Sequence, residues 1–112
     1  MTIFIPAWNK GTLEPIEKLE VHRRGLKHKA ISIFVFCGGK LLIQQRASNK
    51  YHSPELWANS CCSHPNWGEN SEDCSNRRIF EELGLKNLEL RFIDQIEYKA
   101  NVGPELIEHE VV

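Results

Sequence analysis

Two apolar runs, Ala30-Ile31-Ser32-Ile33-Phe34-Val35-Phe36 and Lys40-Leu41-Leu42-Ile43-Gln44-Gln45-Arg46, flank a turn at Gly38-Gly39. A two-residue hairpin loop needs positive φ at its centre, which paired glycines adopt without steric cost. The segment predicts a β-hairpin whose first strand is buried. A second constraint is helical: Asn70-Ser71-Glu72-Asp73 supplies capping and acidic residues for a start and Gly84 a stop, which predicts a helix over residues 71–83. Glu69, Glu72 and Asp73 suit the positive end of that helix. Arg77, Arg78, Glu81 and Glu82 fall mostly three and four residues apart, a spacing that permits salt bridges within it.

The remaining segments complete an α/β (α+β) pattern. Residues 3–19, with Asn9-Lys10-Gly11 among short apolar pieces, predict a hairpin or edge-strand lead-in ending near Pro15. His22-Arg23-Arg24-Gly25-Leu26-Lys27-His28 reads as a polar loop, and Tyr51-His52-Ser53-Pro54 as a second one. Leu88-Glu89-Leu90-Arg91-Phe92 and Ile96-Glu97-Tyr98 alternate as strands, Asn101-Val102-Gly103-Pro104 breaks the pattern, and residues 106–112 form a final strand. On that strand Glu108 and Glu110 share a face and His109 lies on the other. Two carboxylates side by side are costly unless a cation or a proton sits between them. A chain ending inside an apolar run also leads to an expectation of further sequence beyond Val112.

With 112 residues the chain is expected to be one domain, residues 1–112, near the low end of what buries a self-sufficient core. Fourteen Lys and Arg against fifteen Asp and Glu give a formal charge of -1, so the whole molecule carries no signature of nucleic-acid or acidic-membrane binding. The N-terminus lacks a signal-peptide pattern and no run reaches the length of a membrane span, which leads to an expectation of a cytoplasmic protein. Cys37, Cys61, Cys62 and Cys74 form no CxxC pair, and reduced thiols are expected.

Reactive groups are densest in Trp57-Ala58-Asn59-Ser60-Cys61-Cys62-Ser63-His64-Pro65-Asn66-Trp67-Gly68-Glu69. Its Pro and Gly predict a loop, where chemistry is commonly carried. His22, His28 and His64 with Glu108 and Glu110 offer a five-ligand set of nitrogen and oxygen donors for a divalent ion. Spacing alone does not bring the five together, and solvation is the competing fate of Arg46 and Lys50.

The chain resembles type I isopentenyl diphosphate isomerase, a member of the Nudix superfamily. The likeness is carried by Glu17-Lys18-Leu19-Glu20-Val21-His22 with His28, by residues 42–50 (Leu-Ile-Gln-Gln-Arg-Ala-Ser-Asn-Lys), and by Leu56-Trp57-Ala58-Asn59-Ser60-Cys61-Cys62-Ser63-His64-Pro65. Arg77-Arg78 with Glu81-Glu82-Leu83-Gly84, Tyr98-Lys99-Ala100 and Glu108-His109-Glu110 complete it. The resemblance implies a Nudix-like mixed sheet with a flanking helix, incomplete at its C-terminus, with the pocket open on one side and apolar surface exposed. It implies His22, His28, His64, Glu108 and Glu110 as ligands of Mn2+ or Zn2+, and Glu82 as a carboxylate that helps hold Mg2+ at a small-molecule diphosphate. Lys18, Arg46, Lys50 and Arg78 match positions that meet the diphosphate, a use suited to Arg and Lys. Cys62 and Glu110 match the two catalytic residues and Tyr98 the hydroxyl that supports the acid. Cys61 reads as a core thiol.

The implied reaction moves a double bond between isopentenyl and dimethylallyl diphosphate. It needs a proton delivered to one carbon and another removed from the allylic carbon, with the cation between them shielded from water. The Nudix hydrolase box, G-x5-E-x7-R-E-U-x-E-E-x-G-U, fits residues 63–85 at Glu69, Arg77, Ile79, Glu81, Glu82, Gly84 and Leu85. It departs at Ser63 and at Arg78, where the isomerase pattern expects Arg. A diphosphate hydrolase is therefore the second reading. A third is a metal-binding domain without catalysis, ligating through His22, His28, Cys62 and His64.

Overall fold

The structure is a computed structural model and describes residues 2–50 and 53–112. In chain order it contains β1 (Phe4–Asn9), β2 (Thr12–Glu17), α1 (Lys18–Arg24), β3 (Lys27–Lys29), β4 (Ile31–Ile33), β5 (Phe36–Cys37), β6 (Lys40–Leu41), β7 (Gln44–Gln45), β8 (Trp57–Ala58), β9 (Cys61–Ser63), α2 (Ser71–Leu83), β10 (Glu97–Gly103) and β11 (Leu106–Val111). A five-stranded mixed sheet has the order β10-β11-β3-β1-β2, with β11 and β3 parallel and the other pairs antiparallel. The lead-in hairpin extends past Pro15, and its turn is closed by Lys10 and Gly11, both at positive φ.

Gly38 and Gly39 stand at φ 58° and 77°, as the hairpin requires, with Phe36 opposite Leu41 and Cys37 opposite Lys40. The two long strands expected around them are nevertheless divided. Ser60, fully buried, inserts its hydroxyl between them: Oγ accepts from the Val35 amide at 2.8 Å and donates to the Leu42 carbonyl at 2.6 Å. A side chain thus takes two backbone bonds near the breaks, β4 pairs with β9, and β7 pairs with β8.

The expected loop at residues 22–28 is in fact helix, turn and strand. The Glu17 carboxylate caps α1 by accepting from Leu19 N at 2.8 Å and Glu20 N at 3.2 Å. Gly25 at φ 66° ends it, with its own N–H on His22 O and Leu26 N on Val21 O. The anticipated strand at residues 88–92 is absent: among the described residues no neighbour supplies a ladder, Leu90 packs against the core and Phe92 lies exposed. β10 runs through Asn101 to Gly103, so the break falls at Pro104-Glu105. Of the second predicted loop, Tyr51 and His52 lie outside the described residues. The helix at 71–83 forms as expected, with Asn70 Oδ1 accepting from Asp73 N at 2.8 Å and Gly84 closing the other end.

Two cores support these elements. Ile5, Ala7, Ile16 and Val21 pack under the large sheet, while Ile31, Ile33, Cys61, Cys74 and Ile79 join β4 and β9 to α2. Burying Ile79 in full is worth about 1.5–3 kcal/mol, against roughly 0–1 kcal/mol for each partly exposed Arg–Glu pair on the same helix. Packing, not the charge ladder, therefore holds α2 in place.

Gly25 and Gly84 both occupy the left-handed region, but a Cβ on Gly25 would meet Ile107 Cδ1 at 3.2 Å whereas one on Gly84 meets nothing within 4 Å. Gly84→Ala should cost about 1–2 kcal/mol in denaturant unfolding and Gly25→Ala measurably more. Equal losses would show that Ile107 does not constrain the end of α1.

Candidate functional site

α1 begins at Lys18 and places His22 one turn later on the same face. His28 sits in β3 beside Glu110 of β11, the two being register partners in the parallel pair. His64 follows β9 directly. The ligand atoms of His22, His28, His64 and Glu110 all lie within 4.8 Å of one another, and ring centroids are 4.9–5.6 Å apart. Four of the five residues expected around an ion are thus brought together from separate elements. Glu108 lies beside them: the Tyr98 hydroxyl donates to Glu108 and, at 2.9 Å, to Glu110 Oε1. His109 projects from the other face of β11 and pairs with Glu97 at 2.9 Å.

The hydrogen bonds determine which imidazole nitrogens face inward. Nδ1 of His22 meets Lys18 O at 2.8 Å, Nδ1 of His28 meets Leu26 O at 2.9 Å, and Nδ1 of His64 meets Lys29 O at 3.3 Å. A carbonyl only accepts, so Nδ1 carries a hydrogen in each ring and Nε2 is the nitrogen turned toward the cluster. Histidines that ligate metals are commonly held by such an outer bond. His28 Nε2 lies 3.2 Å from Glu110 Oε2, and His64 Nε2 lies 3.8 Å from the same oxygen. Three Nε2 atoms and a carboxylate oxygen converge, an arrangement held together by protons or by a cation among them. The donor set, three nitrogens and an oxygen, fits a divalent ion.

Burial drives His22 below its ordinary range and His64 down to about 3, so both stay neutral at pH 7. Burial alone would raise Glu110, but the His28 hydrogen bond and the nearness of the His64 and His28 rings outweigh it and bring the carboxyl to about 2. Glu108 moves upward, chiefly through burial, with the Glu110 charge adding to it. Tyr98 is pushed well above its usual value by burial and by both carboxylates, so its hydroxyl remains a donor.

A second group adjoins the first. Lys18 is depressed by burial and then by the charges of Lys50, Arg78 and Arg46, with Glu82 opposing, so the four expected basic residues share one electrostatic neighbourhood. Arg78 binds Ser63 Oγ at 2.9 Å, Glu81 at 2.9 Å and Glu82 at 2.6 Å. Arg77 is tied instead to Glu69 at 2.8 Å and to Glu81 at 2.8 Å. The intrahelical pairs expected on α2 are therefore present, and for Arg78 and Glu82 they coexist with a place beside Lys18.

Cys61 and Cys62, adjacent on β9, point to opposite sides. Cys61 is fully buried and donates to Glu82 Oε2 at 2.9 Å. Cys62 is exposed, its Sγ 2.5 Å from Asn59 Oδ1 and 3.7 Å from Ser32 Oγ. Although the residue is exposed at the surface, partial desolvation of its sulfur and then the Glu110 charge push the Cys62 thiol up, which places it electrostatically within reach of that carboxylate. Cys62 is not in the cluster that gathers the three imidazoles, where Glu110 takes the fourth place. All four cysteines are free thiols, as expected. Asn59 and Ser32, which flank Cys62, were not marked by the sequence. Asn59 lay within the reactive stretch, but Ser32 looked like an ordinary polar position on a strand.

With Zn2+ as probe at about 100 times its dissociation constant, stability at pH 7 should rise by about 2.7 kcal/mol. His28→Ala should abolish that gain in a thermal melt; an undiminished gain would place the bound ion elsewhere.

No helix among the described residues is long and apolar enough to cross a membrane. The chain is 60% identical over 112 residues to an isopentenyl-diphosphate Delta-isomerase of Jannaschia sp., covering 100% of this chain and 64% of that protein. A protein of the same name from Cereibacter sphaeroides is likewise 60% identical, with 63% of it covered. Another from Rhodobacter capsulatus is 58% identical over 108 residues, which are 96% of this chain and 61% of that protein. The chain thus spans less than two thirds of the length of these relatives. The NUDIX domain model matches residues 26–112, from the strand carrying His28 through α2 to the strand carrying Glu110, and the chain belongs to the NUDIX domain family.

Proposed function

We propose that the site serves the interconversion of isopentenyl and dimethylallyl diphosphate, in a single domain working in the cytoplasm. The observation that carries this reading is the adjacency of three groups. The Glu110 charge acts on the Cys62 thiol, Glu82 acts on the same thiol, and Glu82 shares the neighbourhood of Lys18 with Lys50, Arg78 and Arg46. A hydrolase needs no thiol there, and a metal domain ligating through Cys62 does not match a cluster completed by Glu110.

In this reading Lys18, Arg46, Lys50 and Arg78 bind the diphosphate. Glu82 would help hold Mg2+ at it, and His22, His28, His64, Glu110 and Glu108 would hold Mn2+ or Zn2+; such ions supply charge neutralisation and fix the geometry of their ligands. At neutral pH Cys62 carries a proton and Glu110 does not. The pair therefore holds one transferable proton and one basic position, the minimum for this double-bond shift. With the proton on Glu110, backed by the Tyr98 hydroxyl, the carboxyl delivers it to the terminal alkene carbon. The Cys62 thiolate then removes a proton from the allylic carbon, and the pair ends with the same proton count. Relatives named for the isomerase at 60% identity support this assignment.

The test is conversion of isopentenyl to dimethylallyl diphosphate by this chain with Mg2+. Turnover is expected, and Cys62→Ala should lower it about 10^2- to 10^4-fold. Release of inorganic phosphate from nucleoside diphosphate compounds without isomerisation would replace this reading with a hydrolase. Tyr98→Phe, which keeps the ring and removes the donor, should reduce kcat more than KM.

A further inference from the structure

Glu82 is surrounded by donors on nearly every side. Its Oε1 accepts from Arg78 Nη2 at 2.6 Å. Its Oε2 accepts twice, from the Cys61 thiol at 2.9 Å and from Gln44 Nε2 at 3.3 Å. A carboxylate has about four lone-pair positions, two on each oxygen. Among the described residues three are used, Oε2 is filled, and the position left is on Oε1.

The two donors on Oε2 are themselves fixed. Cys61 is fully buried on β9 between Ser60 and Cys62, and its register partner is Ile33. Gln44 on β7 also donates to Ser60 O at 2.8 Å, which holds its amide against the same turn of chain. Cys61 also belongs to the apolar core of β4, β9 and α2, but packing alone does not account for its bond to Glu82. A buried thiol fills a small hydrophobic position equally well with no acceptor, and Gln44 is only partly buried.

We propose that Cys61 and Gln44 are positioning residues that occupy Oε2 of Glu82 and so present Oε1 as its single donor atom to a divalent cation. This rests on the reading that Glu82 meets a cation at the bound diphosphate. The paired cysteines then have separate roles, the outward thiol of Cys62 facing the substrate and the inward thiol of Cys61 orienting a carboxylate. The arrangement also keeps Glu82 from swinging to clasp Arg78 with both oxygens, because turning the carboxylate would break both bonds at Oε2.

The test is Mg2+-dependent binding of isopentenyl diphosphate by calorimetry, with the imidazole cluster first filled by one equivalent of Zn2+. Wild type is compared with Glu82→Gln, Cys61→Ala, Cys61→Ser and Gln44→Leu, and thermal melts follow folding in each. Cys61→Ala and Gln44→Leu should weaken apparent Mg2+ affinity about tenfold while Cys61→Ser, which keeps a donor, stays within about twofold of wild type. Diphosphate binding without Mg2+ should be unchanged in all three, a pattern that a merely structural thiol would not produce. Unaltered Mg2+ affinity in Cys61→Ala and Gln44→Leu, with Glu82→Gln impaired, would overturn the proposal and leave Glu82 as the cation's carboxylate. Equal loss in Cys61→Ala and Cys61→Ser would also overturn it. Unaltered affinity in Glu82→Gln would remove the underlying reading as well.

Discussion

Everything near the site depends on one buried carboxylate. Glu110 is almost wholly enclosed, and a carboxylate taken out of water is tolerated only where positive charge or donors replace its hydration. His28 at 3.2 Å, His64 at 3.8 Å and the Tyr98 hydroxyl supply part of that replacement. The rest of the fold brings these groups together: β11 pairs with β3 to align Glu110 and His28, β10 pairs with β11 to bring up Tyr98, and β9 ends at His64. The inward-facing nitrogens make the same point from the other direction, since three Nε2 atoms gathered around an anion are stable only with a cation or protons among them.

The backbone carbonyls of Lys18, Leu26 and Lys29 do more than end local turns. Each receives a histidine N–H, so each ring is locked to the main chain of its own or a neighbouring element. The imidazole orientation is therefore as rigid as α1 and the strands around it. A preset ligand shell spares an incoming ion the ordering of side chains on arrival.

The helix at residues 71–83 was legible in full, because Asn70 and Gly84 are strong local signals that no distant contact overrides. The face shared by Glu108 and Glu110 followed from strand periodicity and is seen in the common Tyr98 hydroxyl. What was not legible depended on contacts distant in sequence or on weak caps. Glu17 is a less favoured capping residue than Ser, Asn or Asp, so α1 was hidden behind a glycine that looked like a loop. The division of the residue 30–46 hairpin comes from Ser60, more than a dozen positions away along the chain. At residues 88–92 the alternation was sound, yet a strand needs a partner and none stands there among the described residues. The five candidate ligands were read from their donor chemistry and the catalytic and basic residues from resemblance, while the convergence became visible only through contacts such as the pairing of β11 with β3.

α1 carries one further consequence. Lys18 opens the helix and His22 lies four positions on, so a little over one turn, about 6 Å of rise, separates the residue of the basic cluster from the residue of the imidazole cluster. The step between their Cα positions is set by peptide geometry. The helix acts as a ruler between the two halves of the site. The basic cluster and the imidazole cluster are thereby held one helical step apart along α1.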